Sequence, residues 1–164
     1  MENINLLLIP AARKGEIEVL NELIRRQADL NFTDEKGYTA LIIAGYNNQP
    51  QAVKLLIDAG ADINAADQGG NTALMGAAFK GYLDIAKILI DKGADLNLQH
   101  GNGGTALMFA AMFGRNDVLD LLIKEGADVN MLDHRGQSAL DYAALQGNET
   151  GQQMLTEASQ KISL

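Results

Sequence analysis

The feature that most constrains this chain is a register that returns every 33 residues. Thr39, Thr72 and Thr105, then Ser138, share one slot, and Gly37, Gly70, Gly103 and Gly136 share another. Asp29, Asp62, Asp95 and Asp128 form a third, followed two residues on by Asn31, Asn64, Asn97 and Asn130. A period of this length is the signature of stacked supersecondary units, none of which can bury its apolar surface alone. The core must therefore run continuously through the junctions between units.

Residues 67–99 show the physics of one unit most plainly. Asp67-Gln-Gly-Gly-Asn is turn chemistry, with glycine supplying backbone angles that other residues avoid. The Thr72 hydroxyl is placed to accept an amide hydrogen bond in the first turn of a helix over 73–80. That segment is too short to be stable alone, so packing must hold it, and Ala77 and Ala78 let a neighbouring helix come close. Gly81 is a left-handed stop. A second helix over 83–92 offers Leu83, Ile85, Ala86, Ile88, Leu89 and Ile90 to the core, and Gly93 ends it in the same way.

The other copies depart from this pattern in readable ways. Residues 1–33 form an atypical first unit with a helix over 6–14, whose Pro10 is tolerable only in a first turn. Its second helix, over 17–26, puts Glu22 where later units carry Leu55, Ile88 and Leu121, as the polar open side of an N-terminal cap requires. In residues 34–66, Asn48 takes the turn position held elsewhere by glycine, and Pro50 opens a helix. Residues 100–132 carry His100 in place of the aspartate of Asp34, Asp67 and Asp133, followed by the flexible run Gly101-Asn-Gly-Gly. In residues 133–164 the apolar second helix gives way to Gly151, Gln152, Gln153 and Thr156, leaving Met154 and Leu155. That reads as a polar C-terminal cap, with 158–164 expected to fray. The whole chain, 1–164, reads as one domain of five units.

The order Gly-x-Thr-Ala-Leu, an Ala-rich helix, a glycine turn and a closing Gly-Ala-Asp-x-Asn resembles the ankyrin repeat across essentially the whole chain. Two departures are systematic. Ala40, Ala73, Ala106 and Ala139 stand at the family's proline slot, and Ile42, Met75, Met108 and Asp141 at its histidine slot. The resemblance implies an all-α solenoid of helix–turn–helix units with β-hairpin fingers, whose inner helices and fingers line a concave surface. It also implies a protein-binding module, because the fold itself brings no chemistry.

An apolar fraction of 47% is that of a globular chain rather than a disordered one. A formal net charge of −8 argues against nucleic acid and anionic membrane as partners and would suit a basic protein. Cysteine is absent, which removes disulfides and thiolate metal ligands. The opening MENINLLLI lacks the positive stretch of a secretory signal, and no apolar run approaches the ~20 residues that cross a bilayer. The expected location is the cytoplasm.

Little in the chain points to catalysis. His100 and His134, its two histidines, fall in successive turns where Asp133 would be a third metal ligand, but exposed turn tips hold metal poorly. The run 101–104 before a helix start resembles an anion nest with outward-facing amides, but it is not a phosphate-loop motif and reads as a flexible repeat turn. The Asp-x-Asn pairs read, within the resemblance, as hairpin-stabilising groups rather than calcium ligands. No catalytic residue, metal or cofactor is expected.

The informative residues lie on the inner helices. Ile42 and Tyr46 share one helix face at a four-residue spacing, as do Met75 with Phe79 and Met108 with Met112. Tyr38 on a finger and Phe113 at a helix end adjoin them. Methionine and aromatic side chains are over-used at adaptable interfaces. The expected function is binding of a partner protein through the concave face by these eight residues, as adaptor or scaffold. The alternative is an inhibitor or immunity-type protein neutralising a basic enzyme or toxin, and a third reading is a chaperone-like accessory. Exhaustive dialysis against a chelator is expected to leave the melting temperature unchanged; a fall of many degrees would reveal a structural metal.

Overall fold

Helices too short to stand alone find their partners in a regular stack. The computed structural model describes residues 2–162. Its α-helices come in five consecutive pairs: α1 (Leu8–Lys14) with α2 (Ile17–Arg25), α3 (Ala40–Tyr46) with α4 (Pro50–Asp58), and α5 (Ala73–Lys80) with α6 (Leu83–Asp91). The series continues with α7 (Ala106–Met112) and α8 (Asn116–Lys124), then α9 (Ala139–Leu145) and α10 (Glu149–Ile162). The odd-numbered inner helices pack on one another in order, the even-numbered outer helices do the same, and each pair packs internally. A 3-10 turn, Ile4–Leu7, leads into α1, so the helix expected from residue 6 starts two residues later. Among the described residues no helix is long and apolar enough to cross a membrane.

The caps follow the repeat. The hydroxyls of Thr39, Thr72 and Thr105 accept from the amides of Ile42, Met75 and Met108 at 3.2, 3.3 and 3.3 Å. Ser138 accepts from Asp141, whose carboxylate accepts the Ser138 amide in return, a reciprocal capping box. Gly81 ends α5 at φ 77°, a left-handed position that glycine takes without strain. Asn48 does the same at φ 56°, and Gln27, with no glycine-like signal, adopts φ 60°.

The fingers join neighbouring units. Asp34 Oδ1 accepts the amides of Lys36 and Tyr38, and Asp67 and Asp133 repeat the arrangement with Gly69 and Asn71 and with Arg135 and Gln137. These carboxylates take the amides that would form a second rung of a hairpin. The expected hairpin strands are accordingly replaced by turns closed through one backbone bond, such as Asp67 N–H to Asn71 C=O, and one isolated antiparallel bridge joins Ala66 to Thr72. In the fourth finger His100 Nδ1 accepts the Asn102 amide, standing in for the missing aspartate. Finger-to-finger bonds run from Gln68 N–H to Lys36 C=O, Gly101 N–H to Gly69 C=O and His134 N–H to Asn102 C=O. That contact sets Gly70, where an added Cβ would lie 3.0 Å from the His100 backbone. The Asp-x-Asn motif is a second staple: Asn31, Asn64 and Asn97 each accept the amide of the next unit's aspartate at 2.8–2.9 Å.

The two ends differ from expectation. Val19 is 38% exposed although its counterparts Ala52, Ile85 and Val118 are fully buried, and Leu7 is 42% exposed against buried alanines. The first unit thus presents apolar surface beside the exposed Glu22. At the other end the second helix is retained as α10, held by buried Leu155 with Met154 and Ala158 packed against the core. Residues 158–162 are helical rather than frayed, and residues 163–164 lie outside the described residues.

Leu89 has no solvent exposure, and its truncation to alanine is expected to destabilise the fold by about 2–5 kcal/mol through a cavity. Thr72→Ala should cost about 1 kcal/mol, as for a lost cap. Urea midpoints check the ranking; a larger loss at Thr72 would reverse the assignment of cap and core.

Candidate functional site

Three rings run across the inner helices. Tyr46, last residue of α3, stacks with Phe79 near the end of α5 at 6.5 Å between centroids and 14° between planes. Phe79 meets Phe113 edge-on at 4.7 Å and 73°. Lys80 places its ammonium 4.6 Å from the Tyr46 ring centroid, within cation–π range. Tyr46 and Phe113 are 44% and 41% exposed, while Phe79 between them is half-buried. The row passes to Phe113 rather than Met112, which is half-buried and makes none of these ring contacts.

Beside the rings lies a groove of about 560 Å³. Tyr38, Tyr46 and Phe79 line it with Ile42, Ile43 and Met75, and Phe109 closes one side. Arg13 reaches it from α1, whereas Asp67 and Asn71 reach it from the third finger. Five of the eight residues expected from the sequence therefore converge on one concavity: Tyr38, Ile42, Tyr46, Met75 and Phe79.

Burial divides that set. Ile42, Met75 and Met108 are 7%, 2% and 2% exposed, so they are packing residues rather than free anchors. They occupy the third position of their helices, where the amide bonds to the capping threonine; Met75 and Met108 belong to the continuous core, whereas Ile42 is buried outside it. Ile42 and Met75 reach the groove only as part of its lining, and Met108 does not line it.

The groove exists because one helix omits a side chain. Four residues after the capping threonine or serine stand Ile43, Gly76, Phe109 and Tyr142. Gly76 leaves a gap between Ile43 and Phe109, both of which line the groove. A Cβ at Gly76 would meet only Tyr46 Cδ2, at an ordinary 3.5 Å. Glycine in a helix interior costs roughly 1 kcal/mol relative to alanine, so packing gives no reason for it. The step of 33 applied to this slot would have revealed Gly76 and Phe109.

The polar candidates lie elsewhere. His100 lies against Phe109 at 5.2 Å between centroids with the rings tilted by 32°, and its Nδ1 accepts the Asn102 amide. His134 packs beside Gly103. Among the described residues no group of three or more metal-ligating side chains converges. In the last unit the Tyr142 hydroxyl donates to Asp133, holding that carboxyl below its ordinary range and raising the tyrosine above its own. This pair fills with a tyrosine the slot that Gly76 leaves empty.

With this geometry in view, comparison with known proteins is direct. The family model described as ankyrin repeats (3 copies) matches residues 8–100 and, in an overlapping stretch, residues 92–164. An ankyrin repeat domain-containing protein of Stachybotrys chartarum, SAT10, is 48% identical over 44 residues, 27% of this chain. The matched stretch is 2% of that much longer protein.

Gly76→Ala is expected to raise the urea midpoint, stabilising the fold by about 0.5–1 kcal/mol without a clash. A destabilised Gly76→Ala variant would show that the glycine serves packing rather than the opening.

Proposed function

The chain belongs to the ankyrin-repeat family, and from that premise we propose that it is an adaptor or scaffold that binds a partner protein through the concave groove between the second and third units. Repeats of this family are generally non-catalytic modules that bind other proteins. The observation that carries the reading is the continuous row Tyr46–Phe79–Phe113 beside an apolar opening at Gly76. Contiguous exposed apolar surface is uncommon on a soluble monomer and marks interaction sites. Interface energy concentrates in a few aromatic anchors next to pockets, and a preformed stack orders little on binding. Tyr38 and Phe113 frame the surface, while Ile42 and Met75 support it from below. The hairpin-like fingers add polar rim contacts from Asp67 and Asn71.

Neutralisation of a basic enzyme or toxin would need carboxylates on this face. α1, α3, α5 and α7 contain no aspartate or glutamate, and Asp67, the carboxylate that lines the groove, is taken up by hydrogen bonds within its own finger, so the adaptor reading is preferred.

Capture from native extract with mass spectrometry identifies partners, and purified partner then tests the surface. Tyr46→Ala is expected to weaken binding at least tenfold with little change in melting temperature, because nearly half of Tyr46 is exposed. Phe79→Ala should weaken it equally but also destabilise the fold by about 1 kcal/mol, since its ring meets two others. Charge reversals at Asp91 and Glu125 on the outer side should change affinity little. The opposite ranking would move the site to the convex face.

A further inference from the structure

Resting on the groove reading above, we infer that the segment docking there is acidic: a large apolar side chain over the Gly76 gap, with Asp or Glu within about three residues on either side. The overall charge would suggest the reverse, since 21 Asp and Glu outnumber 13 Lys and Arg. The charges, however, are segregated by face. Of the inner helices, α1, α3, α5 and α7 have no carboxylate and α9 has Asp141 alone, while the cations of this layer are Arg13, Lys14 and Lys80. The outer helices carry the acids, among them Glu18, Asp58, Asp84, Asp91, Asp117 and Asp120.

The helix dipole favours a last-turn cation on either face, and the outer α2, α8 and α10 carry Arg25, Lys124 and Lys161 there while α4 and α6 end in Asp58 and Asp91, so it does not by itself choose where the inner cations stand. The cations are instead arranged around the aromatic row. Arg13 occupies in the first unit the slot of Tyr46 and Phe79, so it stands one inner helix, roughly 8–10 Å, before Tyr46. Lys80 lies over the Tyr46 ring, 4.6 Å from its centroid. Neither makes an ion pair with another described residue: the three pairs present are Arg25–Glu22, Lys92–Asp58 and Lys124–Asp120.

One carboxylate does line the groove, Asp67. It sits on the finger side, where its oxygens accept from Gly69, Asn71 and the Asn71 carboxamide. At the ring end the charges that border this groove are Arg13 and Lys80, with Asp34 and Glu35 on the far side of Arg13 in the adjoining concavity. An extended chain advances ~3.3 Å per residue, so a carboxylate two or three residues from a side chain seated by Tyr46 reaches the distance of Arg13. The recognised chemistry is a protein segment pairing an aromatic or large aliphatic residue with flanking carboxylates.

The test uses random twelve-residue peptides displayed on phage and selected on the immobilised full chain, followed by fluorescence anisotropy with the enriched peptide. Enrichment of Phe, Trp, Tyr or Leu within three residues of Asp or Glu is expected. Arg13→Glu and Lys80→Glu should each weaken the synthetic peptide about tenfold, with Arg13→Gln and Lys80→Gln intermediate, melting temperatures being measured alongside. Asp91→Lys should leave binding unchanged, and added salt should weaken it. Enrichment of Lys or Arg, no enrichment at all, or acidic peptides that bind both reversal variants normally would each overturn the inference. Basic peptides lost on Tyr46→Ala would leave the groove standing and remove only its charge preference. Peptides that bind regardless of Tyr46→Ala and Phe79→Ala would instead refute the groove itself.

Discussion

Apart from α10, the helices here are seven to nine residues long, below the length at which a helix persists in water, so all else depends on contact between one pair and the next. The chain secures that contact with a line of methyl groups. Ala11, Ala44, Ala77, Ala110 and Ala143 fall at one step and are all buried, which lets inner helices approach closely along the whole stack. On the finger side, asparagine carboxamides and backbone amides tie each unit to its neighbour. A contact between adjacent units is thus made once and repeated, and the long axis of the molecule is built by neighbour-to-neighbour packing.

A perfect repeat would present the same surface in each unit and so would distinguish no region from another. Specific surface arises where the copies differ. Gly76 interrupts a slot otherwise held by Ile43, Phe109 and Tyr142, and Tyr46 and Phe79 put rings where the fourth unit puts Met112 and the fifth Leu145. These departures coincide at the junction of the second and third units. That junction has a further unit on each side, so the roughly 1 kcal/mol given up at Gly76 falls where neighbouring interfaces are most complete.

Much of this was legible in the sequence. The helix over 73–80, the threonine caps, Gly81 and Asn48 needed only local chemistry, and the structure places them as read. Reading failed where a side chain's direction mattered. A spacing of four puts Ile42 with Tyr46 and Met75 with Phe79 on one face, yet Ile42 and Met75 are buried while Tyr46 is exposed and Phe79 half-buried. Gly76 escaped notice because an absent side chain leaves no motif. The hairpin strands were expected from resemblance, but the finger aspartates accept the amides that a second rung requires. Polar substitutions in the last unit suggested a lost helix, although Leu155, Met154 and Ala158 still supply a sufficient apolar edge to α10.

Charge poses the same contrast between the whole and the part, and distance decides it. The outer helices lie behind the inner ones by about a helix diameter, ~10 Å, and a Debye length at physiological salt is ≈ 8 Å. A carboxylate on the outer layer is therefore screened before it is felt in the groove. A cation meeting a carboxylate at ~4 Å is worth about 1 kcal/mol even at the dielectric of water. In the acidic segment proposed above, two such contacts, at Arg13 and Lys80, would act at short range once it has arrived, whereas the net negative charge would oppose its approach. Under that proposal long-range charge sets how often partners meet, and the ring end of the groove sets which of them remain.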